Sequence, residues 1–160
     1  MEVKIKKLHK DAVIPKYAKP GDAGMDLTAV SMKIDEYGNI CYGIGLAFEI
    51  PEGYVGLVFP RSSIYKKGIV LSNSVGVIDS GYRGEVSFKF KPNPYMTCFA
   101  EQGTESATYT REPGLNRDTY KLGDRIGQII IMPYPQIEFV EVDELSETER
   151  GTRGYGSSGR

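Results

Sequence analysis

No run of apolar residues in the chain approaches the roughly 20 needed to cross a bilayer as a helix. The opening stretch MEVKIKKLHKDAV also lacks the apolar core of a secretory leader, so the expectation is a cytoplasmic protein without membrane contact. Histidine occurs once, as His9, and cysteine twice, as Cys41 and Cys98, far apart along the chain. A tetrahedral zinc site and a Cys/His nucleophilic pair therefore both lack their components. The thiols read as small buried hydrophobes, and His9, in a polar stretch, as solvated surface. An excess of charge is missing too: 20 basic and 21 acidic side chains nearly cancel. That balance argues against a surface built for long nucleic acid while leaving room for a local pocket that takes a small anion.

Sustained helical periodicity is also absent. Instead, 19 glycines and 9 prolines punctuate short β-rich runs, and 160 residues of 40% hydrophobic composition suffice for one compact domain. The expected fold is all-β, a jelly roll or distorted β-barrel. Strands are expected at Val3–Leu8, Ile40–Ile50, Tyr54–Phe59, Ile69–Leu71, Glu85–Lys91, Arg125–Met132 and Ile137–Val142. In Glu85–Lys91, Val86, Phe88 and Phe90 alternate with Ser87, Lys89 and Lys91, the pattern of a half-buried strand. The run Gln128–Met132 is apolar without alternation, as if covered on both faces, which hints at contact with another subunit. Residues 92–123 form a polar excursion from the β domain of residues 1–142, and the acidic, then glycine-rich segment 143–160 reads as a flexible tail.

Four stretches carry chemical potential. Pro60-Arg61-Ser62-Ser63 follows a strand with a guanidinium, two hydroxyls and the free N–H groups of a first helical turn, a set that suits phosphate oxygens. Taken alone it reads more simply as a Ser-capped helix start. Gly76-Val77-Ile78-Asp79-Ser80-Gly81-Tyr82 places a carboxylate and a ring at a glycine-flanked turn, although Asp-Ser-Gly is also ordinary hairpin chemistry. In Gly24-Met25-Asp26-Leu27 a second carboxylate enters a strand; Asp26 can hold a hydrated divalent cation, while Asp22 serves the turn. Arg150 to Arg160 combines arginines, hydroxyls and one ring, enough to wrap phosphates and stack on a base. It lacks the Gly-Lys-Ser/Thr of a P-loop, and by itself would pass for a disordered tail.

In order along the chain, PGDAGMDL, PRSSIYKKG, GVIDSGYRG, GDRIGQIIIMP and RGTRGYGSSG resemble the five motifs of the trimeric dUTPase family. The position of the excursion, before the fourth motif, is similar to insertions in some phage-encoded members. The resemblance implies a homotrimer that hydrolyses dUTP to dUMP and pyrophosphate, limiting uracil incorporation into DNA and supplying dUMP for dTMP synthesis. It makes Asp79 the base that directs water at the α-phosphate. Arg61, Ser62, Ser63 and Gln128 match phosphate-contacting positions. Asn73, Val77 and Ile78 match the uracil pocket, and Tyr82 packs against the sugar. The tail residues Arg150, Tyr155, Gly156, Ser157, Ser158 and Gly159 match the segment that closes a neighbour's site. Mg²⁺ rides on the triphosphate, with Asp26 reaching it through water. Met25, Arg153 and Tyr155 depart from the family's usual Tyr, Gly and Phe.

Two rivals remain at this level. A dCTP deaminase resembles the chain around Arg-Ser-Ser and Ile-Asp, but places a glutamate proton shuttle where Lys89 stands here. A regulatory protein would use the same fold to present residues 92–123 to a protein partner, against the simpler alternative of a surface hairpin without separate function. Deleting the excursion should leave both dUTP turnover and oligomer mass intact. Loss of turnover with the oligomer preserved would instead make the segment part of the site.

Overall fold

The computed structural model describes residues 1–92, 97–100, 107–110 and 119–154. Its elements are β1 Lys4–Lys7, β2 Met25–Thr28, β3 Ser31–Ile34, β4 Ile40–Gly43, β5 Leu46–Glu49, β6 Tyr54–Pro60, a 3-10 turn Ser62–Lys66, β7 Ile69–Leu71, β8 Gly76–Ile78, β9 Ser87–Pro92, β10 Thr97–Ala100, β11 Ala107–Thr110 and β12 Arg125–Pro133. One four-stranded sheet runs β2-β12-β6-β8 and a second runs β3-β4-β9-β7, while β1 pairs with β5 and β10 with β11. Every ladder is antiparallel. The all-β jelly-roll expectation holds, and no described segment is an α-helix.

The alternation read in β9 works as expected: Val86, Phe88 and Phe90 are buried and Ser87 and Lys89 face outward. Between the sheets lies an aromatic cluster in which Tyr42 meets Phe90 and Tyr120 edge-on at 5.9 and 6.1 Å, and Phe88 stacks on Phe90 at 6.1 Å. Edge-on and offset pairs of this kind satisfy the ring quadrupoles. The buried Tyr42 hydroxyl donates to the Tyr120 carbonyl at 2.7 Å, so its polar tip is satisfied. Gly127 on β12 faces this cluster, and a Cβ there would collide with the Phe88 ring and crowd the Phe59 carbonyl. The missing side chain is what lets the two sheets close on each other.

The expected single strand Ile40–Ile50 is two strands that serve different sheets. The break falls at Gly45, which has φ +66°. A Cβ there would also run into His9, Val30 and Ala12, so the change of direction is enforced by backbone and packing together. β3 escapes sequence reading because all four of its residues are exposed, leaving no burial alternation to detect. The expected strand Ile137–Val142 is a correction: the segment carries no ladder, and Phe139 and Val140 are 92% and 78% exposed. Strand propensity alone cannot make a strand without a neighbouring edge.

The β3–β4 turn is organised by Asp35. Its Oδ1 accepts the N–H groups of Tyr37 and Asn39 at 3.0 and 2.9 Å, and the buried Asn39 amide donates to both carboxylate oxygens at 3.1 and 2.9 Å. These donors, the Asn39 side chain foremost, hold the Asp35 carboxyl down at about 2. Cys41, buried as expected, points its thiol at the same carboxylate at 3.6 Å; burial first and Asp35 second raise its pKa. Because the Asp35 pKa is depressed on folding, its stabilisation is complete above the ordinary value of 3.8 and disappears as pH falls toward about 2. Asp35→Ala should therefore lower Tm at neutral pH and show a smaller further loss of Tm across that acid window than wild type. Parallel Tm-against-pH curves for the two proteins would contradict the assignment.

Candidate active site

β12 lies between β2 and β6, and its register sets Gln128 opposite Asp26 on one side and Phe59 on the other. A bulge between Arg125 and Gly127 interrupts the β2 pairing. The extra residue, Ile126, goes into the core with no exposure, while Arg125 is directed outward. Re-aiming a side chain at a functional edge is a common use of such a bulge. Arg125 Nη1 then donates to Asp26 Oδ2 at 2.9 Å, and Arg61 Nε, from the stretch after β6, donates to Asp26 Oδ1 at 2.9 Å. One carboxylate is held between two guanidiniums, leaving a local excess of one positive charge at a surface that is only partly exposed. Such a site is preorganised for an anion.

Around this trio, Gln128 Nε2 donates to the Pro60 carbonyl at 3.3 Å. Its amide lies over Gly24, where any side chain would strike it. Asp26 and Gln128 line a cleft of about 340 Å³ together with Lys16, Asp22 and Gly24. Asp22 serves its turn as expected, accepting the Lys19 N–H at 2.8 Å. The expected Ser cap is absent: the N-cap position of the 3-10 turn falls on Arg61, with extended backbone and no side-chain cap bond. The hydroxyls of Ser62 and Ser63 are thus not consumed as caps at the start of that turn.

Among the described residues no group of three or more His, Cys, Asp or Glu is arranged to hold a metal ion. Asp26 already accepts one arginine on each oxygen, a donor set unsuited to binding a bare cation. Each oxygen retains acceptor capacity for a water, so the carboxylate fits a hydrated ion that takes its inner ligands elsewhere.

A second group of candidates sits at the other edge of the same sheet. Among the described residues β8 is an edge strand, paired with β6 on one side only, so one row of its backbone donors and acceptors faces no described strand. Val77 projects outward, 61% exposed, and Ile78 packs on the core. Before the strand, the turn at Asn73 and Ser74 includes φ +59° at Ser74, and bare Gly76, with the Asn73 amide nearby, leaves space for the Val58 side chain of β6. After it, the Tyr82 N–H donates to the Asp79 carbonyl at 3.0 Å and closes a β-turn. The Asp79 carboxylate is exposed and takes no hydrogen bond or ion pair from a described residue. Tyr82, 45% exposed, folds back over Gly84 and donates its hydroxyl to the Glu85 carbonyl at 2.9 Å.

The chain therefore brings Asp26, Arg61 and Gln128 together, with Ser62 and Ser63 beside Arg61, and separately gathers Asn73, Val77, Ile78, Asp79 and Tyr82. β2 and β8 are the two outer strands of a four-stranded sheet. Three strand spacings, about 14 Å, separate them. Arg150 is folded onto its own turn, with Nε donating to the Arg153 carbonyl at 3.0 Å. Arg153 returns the contact through its Nε to the Arg150 carbonyl at 3.1 Å. Tyr155, Gly156, Ser157, Ser158 and Gly159 lie outside the described residues, as do residues 93–96, 101–106 and 111–118 of the excursion. Arg125 was missed among the candidates, although it stands inside GDRIGQIIIMP; its role depends on the bulge, which no periodicity displays. Lys89 stands on the outer face of the second sheet, 3.5 Å from Asp35.

An antiparallel β-sandwich with two arginines gathered on one carboxylate, and with an aspartate beyond an edge strand that has no partner among the described residues, defines a protein of the jelly-roll class. The dUTPase family model matches residues 10–104 and 116–159, and the internal gap between the two falls within the excursion. The deoxyuridine 5'-triphosphate nucleotidohydrolase of Nautilia profundicola is 38% identical, with 100% of both chains covered. That of Helicobacter hepaticus is 39% identical over 99% of this chain and 89% of its own. Among solved structures, the Staphylococcus bacteriophage 80alpha dUTPase with dUPNHPP superposes with a TM-score of 0.76 at 29% identity, covering 99% of each chain. The chain belongs to the dUTPase family.

Inorganic tripolyphosphate tests the anion site without invoking turnover. Arg61→Ala and Arg125→Ala should each weaken its binding, measured by calorimetry, on the order of tenfold, the scale of one charge-assisted hydrogen bond. Unchanged affinity in both variants would remove the trio from the binding surface.

Proposed function

We propose that the protein hydrolyses dUTP to dUMP and pyrophosphate. The observation that carries this reading, beside family membership, is the contrast between the two carboxylates: Asp26 is neutralised by two arginines, whereas Asp79 is unpartnered at the end of an edge strand. A neutralised carboxylate organises phosphate-binding groups. A free one can take a proton from water. The relatives named above are deoxyuridine triphosphate nucleotidohydrolases, and the phage relative was solved with the nucleotide analogue dUPNHPP.

In this scheme the outward backbone row of β8 and the Asn73 amide pair with uracil, as a complementary base edge would. The hairpin leaves no room for a 5-methyl group, and Tyr82 against the sugar excludes a 2′-hydroxyl. Unpaired polar groups in such a pocket reject the wrong base strongly. Asp79 removes a proton from the attacking water as its oxygen bonds to the α-phosphorus. The bond from that phosphorus to the bridging oxygen breaks, and pyrophosphate leaves. Arg61, Arg125, Gln128 and the Ser62 and Ser63 hydroxyls take up the charge that develops on the phosphate oxygens. Asp26 would accept from the water shell of a Mg²⁺ ion carried by the substrate, and that ion would supply further charge neutralisation. The cellular consequence is less uracil incorporated into DNA and a supply of dUMP for dTMP synthesis.

In the same scheme the protein is a homotrimer, as the family resemblance implies, with the phosphate-binding groups and the hairpin of each site coming from different protomers. Three features support it. The two halves lie on opposite sheet edges; Met132 is 44% exposed and Ile130 only half-buried on β12; and Ile137–Val142 leaves its apolar side chains in solvent. Residues 143–160 then form the tail that closes over a neighbour's site, and residues 1–142 the β domain. A second reading, in which residues 92–123 engage a protein partner, draws on the separate sheet formed by β10 and β11. Deamination draws no support, since Lys89 is turned away and paired with Asp35.

Asp79→Asn should retain affinity for dUTP while pyrophosphate release falls by about 10²–10⁴-fold, the usual contribution of a general base. Turnover near the wild-type rate would refute the role.

A further inference from the structure

We infer that Glu85 is a positioning residue that sets the aim of Tyr82, and so the discrimination between a 2′-deoxyribose and a ribose triphosphate. The inference rests on the proposed placement of Tyr82 against the sugar. The Tyr82 hydroxyl donates to the Glu85 backbone carbonyl at 2.9 Å, and its ring lies against Gly84, where a Cβ would collide with the hydroxyl and the ring carbons. The ring is therefore oriented by the backbone of Gly84 and Glu85 rather than by other side chains of the hairpin.

That backbone is anchored by the Glu85 side chain together with the main chain of Val86. Glu85 Oε1 accepts the Gly45 N–H at 2.7 Å, across 40 residues of sequence. The carboxylate enters a notch at the junction of β4 and β5 that exists because Gly43 lacks a side chain: a Cβ there would strike Glu85 Oε1 and the Ser31 hydroxyl. Gly45 holds its N–H in place through a positive φ of 66° that a side chain would strain. On either side, the Val86 N–H donates to the Leu46 carbonyl at 3.0 Å and the Ile44 N–H to the Val86 carbonyl at 3.3 Å. The chain runs from a rigid strand junction, through one carboxylate, to the peptide that carries the tyrosine. Neither glycine belongs to the hairpin that they steady.

Glutamine can replace glutamate here, because its carbonyl oxygen accepts the same N–H; alanine cannot. The test is kcat/KM for dUTP and for UTP on the full chain, with Tm recorded for each variant. Glu85→Ala should lower the dUTP-to-UTP ratio about three- to tenfold, the scale of one hydrogen bond, with Glu85→Gln close to wild type. A purely structural role would lower Tm and both rates together and leave the ratio unmoved, and that result overturns the inference. Should Glu85→Ala fail to fold, Gly43→Ala displaces the carboxylate from the opposite side and must lower the same ratio, or the inference falls. If wild type itself shows no preference for dUTP over UTP, the reading of Tyr82 fails first, and the two failures are thereby distinguished.

Discussion

The fold depends on how β12 is accommodated. It is an inner strand of the first sheet, and its Gly127 presents no side chain to the Phe88 ring of the second. Any substituent there would force the two sheets apart or twist Phe88 out of the aromatic cluster, since dense cores tolerate added volume poorly. The neighbouring bulge is tied to the same closure. By adding one residue against β2 it sends Ile126 into the core and Arg125 out to Asp26. Packing and anion chemistry are thus set by three consecutive residues.

From that strand outward, the surface is arranged by which carboxylates have partners. Asp35 is saturated by donors and organises a turn; Asp26 is bracketed by arginines and holds them in place; Asp79 has no partner among the described residues. Three aspartates of one chemical type are separated in role by what surrounds them. The pair on Asp26 is partly exposed, so its contribution to folding is small. Its effect is to fix the direction of two guanidiniums, the condition for electrostatic preorganisation in the proposed reaction.

Much of the strand pattern was legible before the fold. β9 is legible through its alternation, and β6, β7 and β12 through short runs rich in β-branched and aromatic residues bounded by turn residues. β3 is invisible because it buries nothing, and Ile137–Val142 forms no strand although its composition favours one, because it pairs with no described strand. The candidate site was legible mainly through the order of its motifs. No single stretch distinguished Asp79 from an ordinary hairpin aspartate, nor Arg61 from the start of a helix. Arg125 and Glu85 stayed hidden, since one acts through a bulge and the other through a notch made by two distant glycines.

The amino-acid sequence alone determined the fold class, the family resemblance and the identity of most chemistry-bearing residues, because residue type, spacing and order are local properties of a chain. Tertiary structure decided which of them meet. Asp26 faces two arginines rather than open water because β2, β12 and β6 are adjacent, and Asp79 is left alone because β8 is an edge. Charge pairing and unpaired backbone both depend on distances across the sheet, and no linear pattern contains those.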